Sequence, residues 1–153
     1  MKKLLVLISV VLISFSGFTR DLGVSWLEVS HSRLDCKKIH LGYNNARIVL
    51  ANGEKKIVPI AIINSYAVNG KVFNKLPVYK EGKQTGEMKF MELIKTVGEM
   101  NLYKFEEPDN GSTLMDAKIY NYFLFSGDKY LLTVDEKSLP NICNVFGLTY
   151  IVK

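Results

Sequence analysis

The chain has 153 residues, of which 48% are hydrophobic and 23% are charged, a composition that favours a folded globular protein over a disordered one. Its 20 Lys and Arg residues against 15 Asp and Glu residues give a modest net charge of +5. The positive residues are spread out as single lysines and pairs such as Lys37-Lys38 and Lys55-Lys56. Because nucleic-acid-binding proteins concentrate basic and aromatic residues in dense patches, we predict no nucleic-acid partner.

Residues 1–16 have the three-part layout of a bacterial secretory signal peptide. A positive head at residues 1–3 precedes an apolar run at residues 4–13, and small residues follow. The run is far shorter than the roughly 20 residues that a membrane-spanning helix needs, so an uncleaved anchor is the weaker alternative. We predict cleavage after Ser16, with Gly17 or Thr19 as alternatives, no membrane span after cleavage, and a periplasmic or secreted protein. Residues 17–153 then have the size of a single domain.

The two cysteines of the chain, Cys36 and Cys143, form an even pair. In an oxidising compartment such a pair favours a disulfide bond. A bridge across so long a loop is worth about 4–5 kcal/mol in the chain-entropy account. The alternative is that Cys143, in an apolar segment, is a small buried side chain.

The first half of this domain has patterns that predict hairpins. Residues 34–41 suit a strand, residues 42–45 a turn and residues 46–51 a second strand that ends at Asn52-Gly53. Asn-Gly tolerates the positive φ of tight hairpin turns, so it is a strong hairpin signal. The return strand over residues 56–63 contains a proline, which cannot donate to a β-ladder and marks an edge or a bulge.

A second Asn-Gly pair, Asn69-Gly70, predicts another hairpin that extends to residue 80. We interpret residues 81–86 as a loop. Residues 87–97 are predicted to be extended, with a helix as the alternative because Met88, Met91 and Ile94 fit one helical face tolerably.

The last third predicts more strands and one helix. The strands are expected at residues 101–107, 117–126, 129–134 and 148–153, and a third Asn-Gly pair lies in the loop after the first of them. Residues 135–147 predict a short helix with Asp135 as its cap and Gly147 as its stop. The whole pattern predicts a mainly β (α+β) fold, an antiparallel hairpin sheet or small barrel-like roll with a short C-terminal helix.

The sequence contains no motif that identifies an enzyme or a metalloprotein. On a strand, Cys36 and His40 would lie roughly 13 Å apart, too far to share one ion, and His31 is the only other histidine. No nucleophile elbow, phosphate-binding loop, dinucleotide fingerprint or calcium loop occurs. The adjacent acids Glu106 and Glu107 are interpreted as solvated side chains rather than a glycosidase pair. We therefore predict a non-catalytic protein without cofactor or metal.

One segment, the aromatic strand at residues 119–125, rises above this background. Tyr120 and Tyr122 share one side, and the other side is equally apolar, whereas a strand with one wet face should alternate. Either both faces are buried, or the tyrosine side is an interaction surface that Tyr103 and Tyr130 would extend if their strands are neighbours. These four tyrosines are the candidate binding residues.

The segments "MELIKTVGEMNLYKFEE", "YNYFLFSGDKYLLTV" and "SLPNICNVFG" resemble a broad group of uncharacterised exported proteins of Gram-negative bacteria. The resemblance extends from about Lys37 to Gly147. It implies an envelope location and a β-rich domain, and it supplies no activity and no catalytic residues.

The predicted function is that of a periplasmic or secreted domain that binds an envelope protein or a cell-surface glycan. The alternatives are a carrier of small hydrophobic ligands and a hydrolase. The sequence does not specify an oligomeric state.

Overall fold

A computed structural model describes residues 24–108 and 118–148. The predicted signal peptide (residues 1–16), the third Asn-Gly turn (residues 110–111) and the final strand beyond residue 148 lie outside the described residues. The described residues form one open antiparallel sheet and one short C-terminal helix. The prediction of a mainly β protein with hairpin strands is confirmed.

The strands are β1 (Ser25–Val29), β2 (Ser32–Leu41), β3 (Asn45–Leu50), β4 (Lys55–Pro59), β5 (Ile63–Val68), β6 (Lys71–Lys80), β7 (Lys83–Val97), β8 (Met100–Pro108), β9 (Lys118–Ser126) and β10 (Lys129–Asp135). A 3-10 turn, Ile60–Ile62, joins β4 to β5, and the helix α1 spans Leu139–Val145. The order across the sheet is β10-β9-β8-β7-β6-β5-β1-β2-β3-β4. Strands that follow each other in the chain are therefore neighbours, except that β5 pairs with β1 instead of β4.

The connection from β4 to β5 shows that the first five strands curl into a roll. In a flat sheet these two strands, four positions apart, would be separated by about 19 Å. The chain from Pro59 to Ile63 reaches at most about 14 Å even when fully extended, so the sheet must bend to bring them together. Lys75 Nζ secures the 3-10 turn by donating to the carbonyl oxygens of Ile60 and Ala61 at 3.1 and 2.8 Å.

The concave side of this first roll holds a hydrophobic core. Its buried members come from all five strands: Leu27, Cys36, Ala46, Ile48, Val58, Ile63 and Tyr66. Phe73 of β6 stacks on Tyr66 at 4.7 Å and Phe90 of β7 meets the same ring edge-on at 5.1 Å. This core therefore extends along one face of the sheet as far as β7.

The other five strands, β6–β10, curl towards the opposite face of the sheet. Asn74 is paired with Met91 and Phe73 with Glu92, and because successive side chains alternate between faces, Met91 points away from Phe90. Met91 belongs to a second cluster with Val78, Tyr103, Phe123 and Phe125. Tyr79 of β6 stacks on Tyr130 of β10 at 3.7 Å, although their strands are four positions apart. The sheet is thus S-shaped, with one core on each face.

Helix α1 covers the back of the second roll. Leu139 and Cys143 of the helix, followed by Leu148, pack on Leu102, Tyr122, Leu124 and Val134. Gly147 has a positive φ of 66°, and the amides of Gly147 and Leu148 donate to the carbonyl oxygens of Asn144 and Cys143 at 3.3 and 2.7 Å. This is a Schellman motif, so Gly147 ends the helix as predicted. The helix is shorter than expected, because Asp135 caps the preceding turn by accepting from the Ser138 amide at 2.7 Å.

Among the described residues, no helix has the length and the apolar character required to cross a membrane.

Two local predictions need correction. Residues 81–86 are not a loop. Glu81 and Gly82, with φ of 51° and 75°, make a two-residue turn of the type that favours hairpins, and β7 starts at Lys83. The apolar run after Pro59 is not one return strand, because the chain leaves the sheet in the 3-10 turn and re-enters it as β5.

Other local predictions are confirmed. Asn52-Gly53 and Asn69-Gly70 connect β3 to β4 and β5 to β6. Residues 87–97 are extended as part of β7, so the helical alternative is wrong.

Candidate functional site

The four candidate tyrosines lie on both faces of the sheet. The register pairs Tyr103 with Phe123, and Tyr122 points to the opposite face from Phe123. Tyr122 is 3% exposed and lies among the residues that α1 covers. Tyr120, on the same side as Tyr122, is half-buried and carries Lys104 Nζ 3.8 Å above its ring.

Tyr103 and Tyr130 belong to the aromatic core of the second roll. Tyr103 is 6% exposed and its Oη accepts a hydrogen bond from Asn74 Nδ2 at 2.9 Å. Burial raises the pKa of the Tyr103 hydroxyl. Tyr130 is half-buried between Tyr79 and Phe125. The four tyrosines do not form one surface. Instead β9 is buried on both faces, which is the alternative to an interaction surface that the sequence analysis gives.

The two cysteines are free, buried thiols in different clusters. Cys36 on β2 belongs to the core of the first roll and Cys143 to the cluster under α1, so the structure does not bring them together. Burial raises the pKa of both thiols. A raised pKa keeps a thiol protonated and unreactive, which fits the alternative role of small core residues.

No cluster of three or more metal-ligating side chains occurs among the residues that the structure describes. Cys36 and His40 do not even share a face. A bulge between Cys36 and Lys38 shifts the register of β2, so Cys36 points into the core while His40 points outwards.

The bulge creates the most distinctive surface of the protein, on the outer face of β2, β3 and β4. Beyond it, Ile39, Ala46, Ile48 and Val58 pack inside the roll. The residues between them therefore point outwards in two cross-strand rows, His40–Arg47–Ile57 and Lys38–Val49–Lys55. We call the four cationic or titratable side chains Lys38, His40, Arg47 and Lys55 the basic face.

The basic face lines a shallow groove of about 530 Å³, and Val49 and Ile57 are among its apolar lining residues. A second groove of about 300 Å³ continues past the strand ends, because His40, Arg47 and Ile57 line both. Two large side chains stand out from the surface here, since Ile57 is 70% exposed and Tyr43 is 97% exposed. Tyr and Arg are enriched in protein interfaces, and exposed apolar side chains supply the buried area on binding.

The cationic side chains of the basic face are not paired with acidic side chains in the described part of the chain. No acidic residue is among the described side chains that line the two grooves. His40 lies directly opposite Arg47, and Lys38 and Lys55 lie on either side of Val49, so the three cationic side chains share one face. Where the structure describes the chain, none of these four side chains has an ion-pair or hydrogen-bond partner.

A groove elsewhere on the protein provides the contrast. The groove of about 230 Å³ between β6, β7 and β8 is lined by Lys71, Glu92, Lys104 and Glu106 among other residues. There Lys71 pairs with Glu92 at 3.1 Å, Lys118 reaches Glu106 at 2.6 Å, and Lys104 lies over the Tyr120 ring. Mixed and mutually satisfied charges are typical of an ordinary solvated surface, whereas the basic face is of one sign.

Sequence reasoning did not find this site. Lys37-Lys38 and Lys55-Lys56 were interpreted only as part of a scattered positive charge. The signal was the alternation of Lys38-Ile39-His40 and of Ala46-Arg47-Ile48, which becomes a shared face only once the three-strand register is known.

Comparisons with protein-family models, curated proteins and solved structures gave no match to this chain. The proposals below therefore rest on its own residues.

Proposed function

We propose that this protein is a non-catalytic, exported binding domain that recognises an acidic protein partner through the basic face. The observation that carries the proposal is the set of unpaired cationic side chains around the exposed Ile57. A carboxylate-bearing partner would supply the missing counter-charges.

The polar and apolar parts of the groove favour a protein over a purely ionic ligand. Ile57 and Val49 are apolar residues that line the groove, and the exposed ring of Tyr43 nearby provides apolar area together with a polar hydroxyl group. Charge complementarity at the rim would steer the encounter, and the apolar contacts would hold the complex.

The two cores support a surface site rather than a carrier of small hydrophobic ligands. Phe123 and Phe125 are at most 2% exposed inside the second roll, where Phe125 touches the rings of Tyr79, Tyr103 and Tyr130. Side chains thus occupy the space in which a carrier would hold its ligand.

The proposal is tested with a charge-reversal variant, Lys38→Glu combined with Arg47→Glu and Lys55→Glu. The probe is a fluorescent peptide of repeating Glu-Thr-Val-Thr, which as an extended strand places Glu and Val in turn on one face, and affinity is measured by fluorescence anisotropy. We expect affinity to fall at least tenfold in the variant, and binding of the unmodified protein to weaken as salt is added because the pairs are exposed.

The matched control carries the same charge change on the second roll, Lys80→Glu with Lys83→Glu and Lys129→Glu, three exposed lysines remote from β4 in the sheet order. Equal loss in both variants would show that only net charge matters, and no loss in either would remove the basic face from the function. Tight binding of a sulfated glycan without binding of the peptide would replace the protein partner by a glycan.

Export is tested separately. The signal peptide predicts that the protein recovered from the periplasm or medium lacks residues 1–16, which intact mass measurement detects. An uncleaved cytoplasmic protein would contradict the proposed location.

A further inference from the structure

The outer edge of β4 carries backbone N–H and C=O groups, and the structure defines which residues direct these groups outwards. Among the described strands, β4 pairs with β3 alone and ends the sheet. The Leu50 amide donates to the Glu54 carbonyl at 2.8 Å, and the Ile60 amide donates to the Asn44 carbonyl at 2.9 Å. In an antiparallel ladder, hydrogen-bonded pairs recur at every second residue. The inward-facing backbone positions are therefore Lys56 and Val58.

It follows that Lys55 and Ile57 direct their N–H and C=O groups outwards, away from β3. These groups form a template for one more strand. Pro59 adds a carbonyl and no amide, so the template is about as long as β4 itself, which has five residues.

The side chains at this edge belong to the basic face. Lys55 and Ile57 stand in the two cross-strand rows, so a strand added beside β4 would place every second side chain next to them. The chemistry that fits this row is an acidic side chain near Lys55 and an apolar one near Ile57.

This edge is guarded at its two ends only. Lysine and proline protect sheet edges from unwanted pairing, and here Lys55 and Pro59 occupy the ends of β4. The residue between them on the same face is Ile57, which is 70% exposed. An exposed isoleucine at the centre of a short edge strand favours pairing with a strand of another chain.

A second copy of this chain is a poor occupant. Two β4 strands paired antiparallel are related by a two-fold axis perpendicular to the sheet, so both basic faces would lie side by side on the same surface. Like-charge juxtaposition of this kind disfavours association, whereas an acidic segment would supply counter-charges to the basic face.

We infer that β4 binds an extended acidic segment of a partner protein as an eleventh strand of the sheet, with carboxylates over the basic face and apolar residues beside Ile57. The inference rests on the proposed function and specifies how the same site recognises its partner. Main-chain hydrogen bonds provide affinity in this mode, and alternate side chains provide specificity.

The test measures amide hydrogen exchange and peptide affinity on the full exported protein, with the Glu-Thr-Val-Thr peptide as probe, because its Glu and Val side chains share one face of an extended strand. We expect the peptide to slow exchange of the Lys55 and Ile57 amides at least tenfold and to leave the Lys56 and Val58 amides unchanged, since these are already bonded to β3. Ile57→Pro removes an outward amide and breaks no hydrogen bond to β3, although it also replaces the side chain, and should reduce affinity at least tenfold. Ile57→Val, which keeps the amide, should stay within about threefold of the unmodified protein.

Should Ile57→Pro disturb the fold by circular dichroism, N-methylation of the peptide at alternate amides replaces it. Two peptides would be compared, one methylated at the odd-numbered amides and one at the even-numbered amides. Loss of affinity in only one of the two would support strand addition. Equal affinity of the two methylated peptides, with unaltered exchange of the Lys55 and Ile57 amides, would overturn strand addition, while charge-dependent binding would still support the proposed function. Binding that does not depend on the charges of the basic face would overturn both strand addition and the proposed function. Self-association in sedimentation that Ile57→Pro abolishes would assign the edge to a second copy.

Discussion

At the scale of single residues, burial decides which aromatic side chains support the fold. Tyr66 is 7% exposed and lies between Phe73 and Phe90. Burial, with the Glu92 carboxylate adding to it, raises the pKa of the Tyr66 hydroxyl to about 12 from its ordinary value of 10. The neutral phenol is therefore the form that the folded protein favours.

This shift predicts a loss of stability in alkaline solution. Below pH 10 the hydroxyl is protonated in both states, so the full stability is present. Between pH 10 and 12 the unfolded chain ionises first, which lowers the free energy of unfolding by about 2–3 kcal/mol. Urea unfolding at pH 9 and pH 11.5 measures the loss, which should be smaller in Tyr66→Phe. An identical loss in the variant would assign it to other groups.

At the scale of elements, tertiary packing holds α1 in place. A helix of seven residues is too short to be stable alone. Leu139 is fully buried against the back of the second roll, while Val145 of the same helix is 77% exposed. The two positions make a matched pair for testing what the helix contributes.

Leu139→Ala should lower the free energy of unfolding by about 2–5 kcal/mol, because it removes buried methyl groups and leaves a cavity beside Tyr122. Val145→Ala should change it by no more than about 0.5 kcal/mol. Chemical denaturation of both variants checks the difference, and similar effects would mean that the helix does not cover the sheet.

The elements also show what sequence patterns can and cannot reveal. Asn69 and Gly70 both have positive φ, so their turn follows directly from residue preference. The turn between β1 and β2 uses Ser30 and His31 with φ of 47° and 66°, and neither residue type signals it. The start of β7 was missed because residues 83–89 are exposed on both faces, which leaves no hydrophobic alternation to detect.

The candidate site was beyond sequence reasoning for a related reason. The basic face depends on the bulge after Cys36, which reverses the faces of the residues that follow. The aromatic residues of β9 were conspicuous because they fill two cores. The conspicuous aromatic residues therefore belong to the cores, whereas less conspicuous basic residues that alternate with apolar ones form the basic face.

At the scale of the whole molecule, one continuous sheet holds two rolls with separate cores. Ile48 lies in the first core and Phe123 in the second, and both are at most 2% exposed. The β5–β6 ladder joins the two rolls. Ile48 and Phe123 nevertheless belong to different cores.

Substitutions in the two cores should therefore be energetically independent. Ile48→Val should cost about 0.5–1.5 kcal/mol, and its effect should add to that of Phe123→Leu within about 0.5 kcal/mol in the double variant. Equilibrium unfolding of the single and double variants tests this. A coupling larger than about 1 kcal/mol would show that the two cores communicate.

The same architecture concentrates binding at one end of the sheet. The cores and the helix engage the aromatic strands, whereas the outer face of β2–β4 combines unpaired cationic side chains with the exposed Ile57. The central claim is that a partner binds there and not at the tyrosine-rich strands.

The most direct test is a two-dimensional NMR titration of the protein with the Glu-Thr-Val-Thr peptide. We predict that the largest chemical-shift changes map to Lys38, His40, Arg47, Lys55 and Ile57, with little change in β8–β10. Changes centred on Tyr120 and its neighbours, or spread evenly over all exposed lysines, would contradict the claim.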